Sequence, residues 1–448
     1  MSDQERFPLL TDAGRALLKR LREHPYAPKY TAECGNRLTA EYLARVKAFE
    51  KELQTTPVGW PVGQYPEWLD GFVELCFAEV PFYRNYGERP TRFEDIPTFD
   101  RAELSRAPWA FVPDSQALDG LIVNSTSGTT GHPLTVISHP VVGGSYTPLL
   151  KAALAKFGIT LTSGPGEVAC VLVGYQQKAY TYASVTPDQN DAGHLKLNLH
   201  PADWRNPDDR ARFLDDLQPE IYTGDPLAFA ELAQLPLTHT PKALISTAMT
   251  LLPGLRQQLE TRFQCPVVDI YSMNESGPIA VQVTNSASSV ARHQLLHHRL
   301  YVEILDAEGN RCPPGARGEV TLTGGFNPFL PLLRYRTNDY AALDFSGGAP
   351  TLLNLEGRAP VQFRAVSGQT LSPLDVTGAL KPFALPQFTL HQDAAGALRM
   401  RVRGSNANPE EIRAALLQLF GVAQALTIEK VQTFGGAGDK VIQYSSDL

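Results

Sequence analysis

The chain has 448 residues, of which 43% are hydrophobic and 19% charged, an ordinary globular balance in a length that implies two or three domains. Its 40 basic and 47 acidic side chains give a net charge of −7 without any Lys/Arg block, which argues against nucleic acid or an anionic membrane as partner. Five scattered cysteines without a Cys-x-x-Cys pair, and an N-terminus without a basic-then-apolar leader, point to reduced thiols in a cytoplasmic protein rather than a disulfide framework or a zinc site.

In chain order, apolar residues at helical spacing predict helices within 13–53 and over 68–77, the latter ending near Pro81. From about residue 120 short apolar runs alternate with helical ones. Runs at 168–173, 220–222, 243–246 and 267–271 predict strands, and 208–217, 226–234 and 254–264 predict the helices between them. Such alternation implies a largely parallel sheet covered by helices. No run is long enough to cross a bilayer. Near residue 300 the texture changes again, with antiparallel strands predicted over 300–306 and 318–323 and turns at 306–310 and 313–315. Beyond Gly357-Arg358, strands at 388–391, 398–402 and 426–431 with a helix over 409–419 predict a small α+β domain. The expected fold class is α/β. A large N-terminal domain, 1–358, would have mostly parallel sheets covered by helices plus an antiparallel β subdomain, followed by a small mobile C-terminal α+β domain, 359–448.

The chemistry begins at Ser125-Thr126-Ser127-Gly128-Thr129-Thr130-Gly131-His132-Pro133, directly after the apolar Leu121-Ile122-Val123. Glycines let backbone N–H groups converge, and hydroxyls add short rotatable donors, a combination suited to polyphosphate. No Gly-Lys-Ser/Thr follows, so this is not a Walker loop. Tyr271-Ser272-Met273-Asn274-Glu275 follows a predicted strand, and a carboxylate there suits a hard cation beside phosphate. Pro331-Leu-Leu-Arg-Tyr-Arg-Thr-Asn-Asp339 ends in a second carboxylate, whose two acceptors match a vicinal diol.

In this order the segments resemble those of the adenylate-forming enzymes, the superfamily of acyl-CoA synthetases and adenylation domains. Glu79-Val-Pro-Phe-Tyr-Arg, with Phe93-Glu-Asp-Ile-Pro-Thr-Phe-Asp-Arg-Ala-Glu-Leu, is similar to the phenylacetate-CoA ligase branch. The resemblance covers roughly 65–445. It implies an ATP phosphate loop at Ser125, Thr126, Ser127, Gly128, Thr129, Thr130 and Gly131. Adenine would contact Ser246, Thr247, Ala248, Tyr271, Ser272 and Asn274, and magnesium would be held by Glu275. Ribose would meet Asp339 and Arg358, and Lys440, after Gly438-Asp439, would be the catalytic lysine of the small domain. Three departures stand out: Leu134 replaces a common lysine, Asn274 replaces a small hydroxyl residue, and Ala359-Pro360-Val361-Gln362 lacks the acidic hinge residue.

The implied reaction is attack of a carboxylate on the α-phosphorus of ATP, giving acyl-AMP and then an acyl thioester. Tyr175, Tyr180 and Tyr182 are the residues expected to line an acyl pocket for a flat, aromatic acid. Cofactors would be ATP and Mg2+, with coenzyme A as the default acceptor, a separate acyl-carrier protein or an amine as alternatives, and no zinc. A ligation-deficient nucleotide- or acid-binding protein on the same fold is the reading of a different class. His297 and His298 are expected at the surface or between domains.

Overall fold

The computed structural model describes residues 1–125, 134–177, 179–283, 290–357, 361–435 and 441–448. The N-terminal third is helical: α1 (Asp3–Arg6), α2 (Asp12–Glu23), α3 (Ala40–Thr55), α4 (Leu69–Glu79), α5 (Pro81–Arg84) and α6 (Arg101–Arg106). The start of α6 follows from its sequence: Asp100 accepts from the N–H groups of Ala102 and Glu103 at 2.8 and 3.0 Å, and Glu103 accepts from the Asp100 N–H at 3.0 Å. This reciprocal capping box fixes where the helix begins. A short ribbon, β1 (Ile122–Ser125) and β2 (Thr135–Ser138), precedes α7 (Pro140–Ala155).

After β3 (Val168–Gly174) come two strands that were not expected, β4 (Tyr182–Thr186) and β5 (Ala192–Asn198), and then the expected alternation of α8 (Asp209–Leu217), β6 (Ile221–Gly224), α9 (Pro226–Gln234), β7 (Ala243–Ser246), α10 (Pro253–Phe263) and β8 (Val267–Met273). An antiparallel run follows, β9 (Gly277–Gln282), β10 (Arg292–Leu295), β11 (Leu300–Leu305), β12 (Arg317–Gly324), β13 (Leu332–Asp344) and β14 (Thr351–Gly357). Among the described residues these strands form one twelve-stranded sheet, ordered β11-β12-β13-β14-β10-β9-β8-β7-β6-β3-β5-β4.

Strands β8, β7, β6, β3 and β5 are parallel neighbours, and β8 is the seam, antiparallel to β9 on its other edge. Helix-covered parallel strands are buried on both faces, so β6 and β7 are buried at every residue. One face packs on α2, α8, α9 and α10 through residues such as Leu17, Phe213, Phe229 and Leu259. The other packs on α3 and α7 through Phe49, Leu149, Ala153, Ile245 and Ile270. The antiparallel half carries its own core, closed by residues of α4 to α6.

The last part holds β15 (Phe363–Arg364), β16 (Thr370–Leu371), α11 (Pro373–Leu380), β17 (Gln387–Gln392), β18 (Leu398–Arg403), α12 (Pro409–Phe420), β19 (Leu426–Lys430) and β20 (Tyr444–Ser446). A four-stranded sheet, β19-β18-β17-β20, packs with both helices around a separate core that takes in Leu252. It rests on the large sheet's helices: the Gly254 N–H donates to the Lys381 carbonyl at 2.9 Å, and a Cβ at Gly254 would lie 2.5 Å from the Pro382 oxygen. Among the described residues no helix is long and apolar enough to cross a membrane.

Candidate active site

Three segments far apart in sequence converge at the seam strand. The turn between β8 and β9 carries Glu275, 3% exposed. Tyr335, on β13, donates from Oη to Glu275 Oε1 at 2.7 Å. Arg101, the first residue of α6, donates from Nη1 to the same oxygen at 3.1 Å. The chain before α6 is what brings Arg101 here. Phe99 forms a parallel bridge with Tyr335, and the Arg336 N–H donates to the Phe99 carbonyl at 2.8 Å. Burial, with the Glu275 carboxylate beside it, holds the Tyr335 phenol well above its ordinary pKa. Its proton therefore stays on oxygen and donates to Glu275. Sequence reading missed Arg101, because an arginine at a helix N-terminus has no local signature separating it from a solvated one.

Among the described residues no three His, Cys, Asp or Glu side chains converge to hold a metal by themselves. Glu275 alone, with phosphate oxygens and water, matches how magnesium is usually held, so the residues fit that ion. It would meet an oxygen already shared by an arginine and a phenol.

The second cluster lies one strand residue away from the turn. Tyr271 donates from Oη to Asp339 Oδ2 at 2.7 Å, and burial, then the Asp339 charge, raise its phenol far above the usual range. Asp339 stands opposite Gly357 in the β13–β14 ladder, where a Cβ would come within 3.3 Å of Asp339 Oδ1. The preceding Asn338 has φ +61°. Asparagine is among the few side chains that tolerate this left-handed conformation, which explains how it stands where the resembling segments carry glycine. Its N–H donates to Glu319 Oε1 at 2.9 Å, and the Asp339 N–H donates to Thr337 Oγ1 at 3.1 Å.

The turn after β7 is the third part. Ser246 is fully buried, and among the described residues its hydroxyl has no hydrogen-bond partner. The Thr247 N–H donates to the Gly224 carbonyl at 2.9 Å, the Met249 N–H donates to the Thr247 carbonyl at 2.9 Å, and Ala248 is held at φ +68°. Ser272 is half-buried and Asn274 exposed. A register shift between Tyr271 and Ser272 is a bulge of the kind that re-aims side chains beside sites.

Of the expected phosphate loop, Ser125 closes β1, with its backbone opposite Thr135. Thr126, Ser127, Gly128, Thr129, Thr130 and Gly131 lie outside the described residues, as do Arg358 and Lys440.

The three tyrosines expected to line an acyl pocket do not come together. Tyr180 is 69% exposed. Tyr175 packs on the α8–α10 side and seats the Arg403 guanidinium 5.5 Å above its ring. Tyr182 lies on the other face, near Cys34 and Cys170, because alternate strand residues face opposite sides. His297 also departs from expectation: it is fully buried rather than at a surface, while His298 reaches Glu52 at 3.2 Å.

No protein-family model matches the chain. It is 25% identical over 162 residues to Protein CapK of Staphylococcus aureus, across 34% of this chain and 32% of that protein. It is 24% identical over 307 residues to a phenylacetate-coenzyme A ligase of Aromatoleum evansii, across 64% of this chain and 66% of that one. The chain thus spans about a third and just under two thirds of these curated relatives. Two crystal structures of a 2-hydroxyisobutyryl-CoA ligase in the postadenylation state, with R3-HIB-AMP and 2-HIB-AMP, superpose with TM-scores of 0.60 and 0.61 at 17% and 16% identity, each covering 87% of this chain and 91% of that one.

Proposed function

We propose, from the premise that the chain has the fold of the adenylate-forming acid–CoA ligases, that it activates a carboxylic acid with ATP to an acyl-AMP and passes the acyl group to coenzyme A. The observation that carries this reading is the Tyr271–Asp339 hydrogen bond of 2.7 Å. It joins residues from two separate motifs beside Gly357 and one turn away from Glu275. Asp339 would accept from the ribose hydroxyls, with Tyr271 orienting its carboxylate and lying along the adenine. The turn of Ser246, Thr247 and Ala248 would face the base, and Ser246 has an unused hydroxyl for it. Ser272 and Asn274 would border the same side.

Two anions must meet in the first step, so catalysis is chiefly positioning and charge neutralisation. Magnesium supplies Lewis-acid charge to the phosphates when bound, and Glu275 is the residue to hold it. Arg101 keeps that carboxylate in place beforehand. The 125–131 loop would hold the phosphates, Arg358 would reach ribose and phosphate, and Lys440 would neutralise charge between acyl and α-phosphate oxygens. The division 1–358 and 359–448 would let the small domain swing between half-reactions. The stretch shared with the phenylacetate-coenzyme A ligase supports an aromatic acid. A carrier protein or an amine is the alternative acceptor, and the protein would work in the cytoplasm.

ATP–pyrophosphate exchange over a panel of aryl and alkyl acids tests the reading, with hydroxylamine to trap acyl-AMP. Acid-dependent exchange, followed by thioester formation with coenzyme A, is expected. Silence across the panel alongside measurable ATP binding would replace it by the ligation-deficient reading, and hydroxamate without thioester would point to another acceptor.

A further inference from the structure

The segment just after β10 runs on beside β9, the Leu296 N–H donating to the Ile279 carbonyl at 2.9 Å, and buries His297 completely. Among the described residues no donor reaches either ring nitrogen. The ring stands edge-on to Phe49 and Phe326, with centroids 6.2 and 5.8 Å away. Glu52, the nearby acid, is taken by His298 and Arg299. Burial, reinforced by the charges of His298 and Arg299, lowers the His297 pKa to about 3, so at neutral pH the imidazole has one N–H and one bare acceptor nitrogen. The Pro278 carbonyl lies beside the ring and is itself only an acceptor. Among the described residues nothing donates to the bare nitrogen.

This orphan acceptor is one ring away from the Glu275 turn. Phe326 lies against Gly277, where a Cβ would fall 2.5 Å from its Cζ and 3.6 Å from Tyr146 Oη. Gly277 has φ +70° and stands two residues from Glu275, so only a residue without a side chain lets Phe326 approach the turn this closely, with Tyr146 at ordinary contact distance beside it. Burial, then the Glu275 charge, raise the Tyr146 phenol to about 12. Tyr146, Phe326, Phe49 and His297 therefore form one aromatic wall leading inward from the carboxylate, with a single acceptor set in it. A buried acceptor left empty costs stability, and natural sites with one usually receive a donor from a ligand or a water.

Resting on the acid-activation reading, we infer that this wall receives the acid, and that His297 accepts a hydrogen bond from a hydroxyl or amino substituent on it. His297 is a specificity residue and takes no part in the chemical step.

The test compares benzoate and phenylacetate with their ring-hydroxylated and ring-aminated counterparts, by exchange and by calorimetric binding, in wild type, His297→Leu and His297→Gln. At least one donor-bearing acid should exceed its parent by about tenfold in kcat/KM, through KM. His297→Leu should erase that preference while leaving the parent acid within about twofold, and His297→Gln, which keeps an acceptor, should restore part of it. Without ligand, His297→Leu should melt no lower than wild type, because it removes an unsatisfied acceptor. A preference that survives His297→Leu, or a wild type that exchanges parent acids and never favours a donor-bearing one, would overturn the inference. Selective, His297-dependent binding without any exchange would support it and overturn the adenylation reading instead.

Discussion

Glu275 and Arg101 make the sharpest prediction about the site. The Glu275 side chain is 1% exposed and Arg101 37% exposed, with 3.1 Å between them. Removing one partner of a fully buried pair costs about 3–5 kcal/mol, and an exposed pair is worth about 1 kcal/mol or less. Arg101→Ala, with one partner on each side of that divide and Tyr335 still donating, should cost about 2 kcal/mol. In a chain of this length that is about 2 °C of melting temperature. The same change frees a carboxylate oxygen for a cation. Manganese at ten times its dissociation constant would then return about 1.4 kcal/mol of the loss, while wild type, whose arginine competes for that oxygen, should respond less. Differential scanning fluorimetry with and without manganese, in wild type, Arg101→Ala, Glu275→Gln and the double variant, measures all of this. The double variant should fall short of additivity by about 2 kcal/mol, since each single change already breaks the pair. Equal melting of Arg101→Ala and wild type, or additive losses, would refute the argument that Arg101 holds Glu275.

Three further outcomes are expected. Ala248→Gly should raise the melting temperature by up to about 1 °C, because φ +68° strains any side chain by about 1–2 kcal/mol while glycine gives back part of that in chain entropy; a fall would show that the alanine methyl packs. His139 and His297 are buried and neutral, with burial lowering their pKa values to about 4 and about 3 from 6.5, and the His139 Nδ1 accepts from the Val141 N–H. Below pH 6.5 the unfolded chain binds more protons than the folded one, so stability is lost as pH falls, by about 2 kcal/mol per histidine at pH 5, and His194, which burial also lowers to about 4, adds to the loss; urea titrations at pH 7 and 5 check this, and His297→Leu should return about 2 kcal/mol of it. Lys440→Ala should cut acid-dependent exchange by at least about a hundredfold while leaving ATP affinity within about threefold, and equal losses in both would deny it a role confined to the transition state.

What the sequence discloses about this fold follows from which forces are local. The parallel strands at 168–174 and 243–246 were legible because strands buried on both faces are apolar nearly throughout. The two strands between Tyr182 and Asn198 were not. Lys196 and His194 interrupt their apolar pattern, and pairing at that sheet end is set by the β3–β5 register rather than by local texture. Glu275 and Asp339 could be singled out because each sits in a patterned segment. Arg101 was not, since its partner is 174 positions away and no periodicity links them. Two residues in left-handed backbone, Asn338 and Ala248, show the same divide more finely. Physically they differ, because the asparagine amide relieves the conformation and the alanine methyl does not. Ala248 is therefore the place where strain is kept in the turn after β7, held there by the Thr247 bond to Gly224 and the Met249 bond to Thr247.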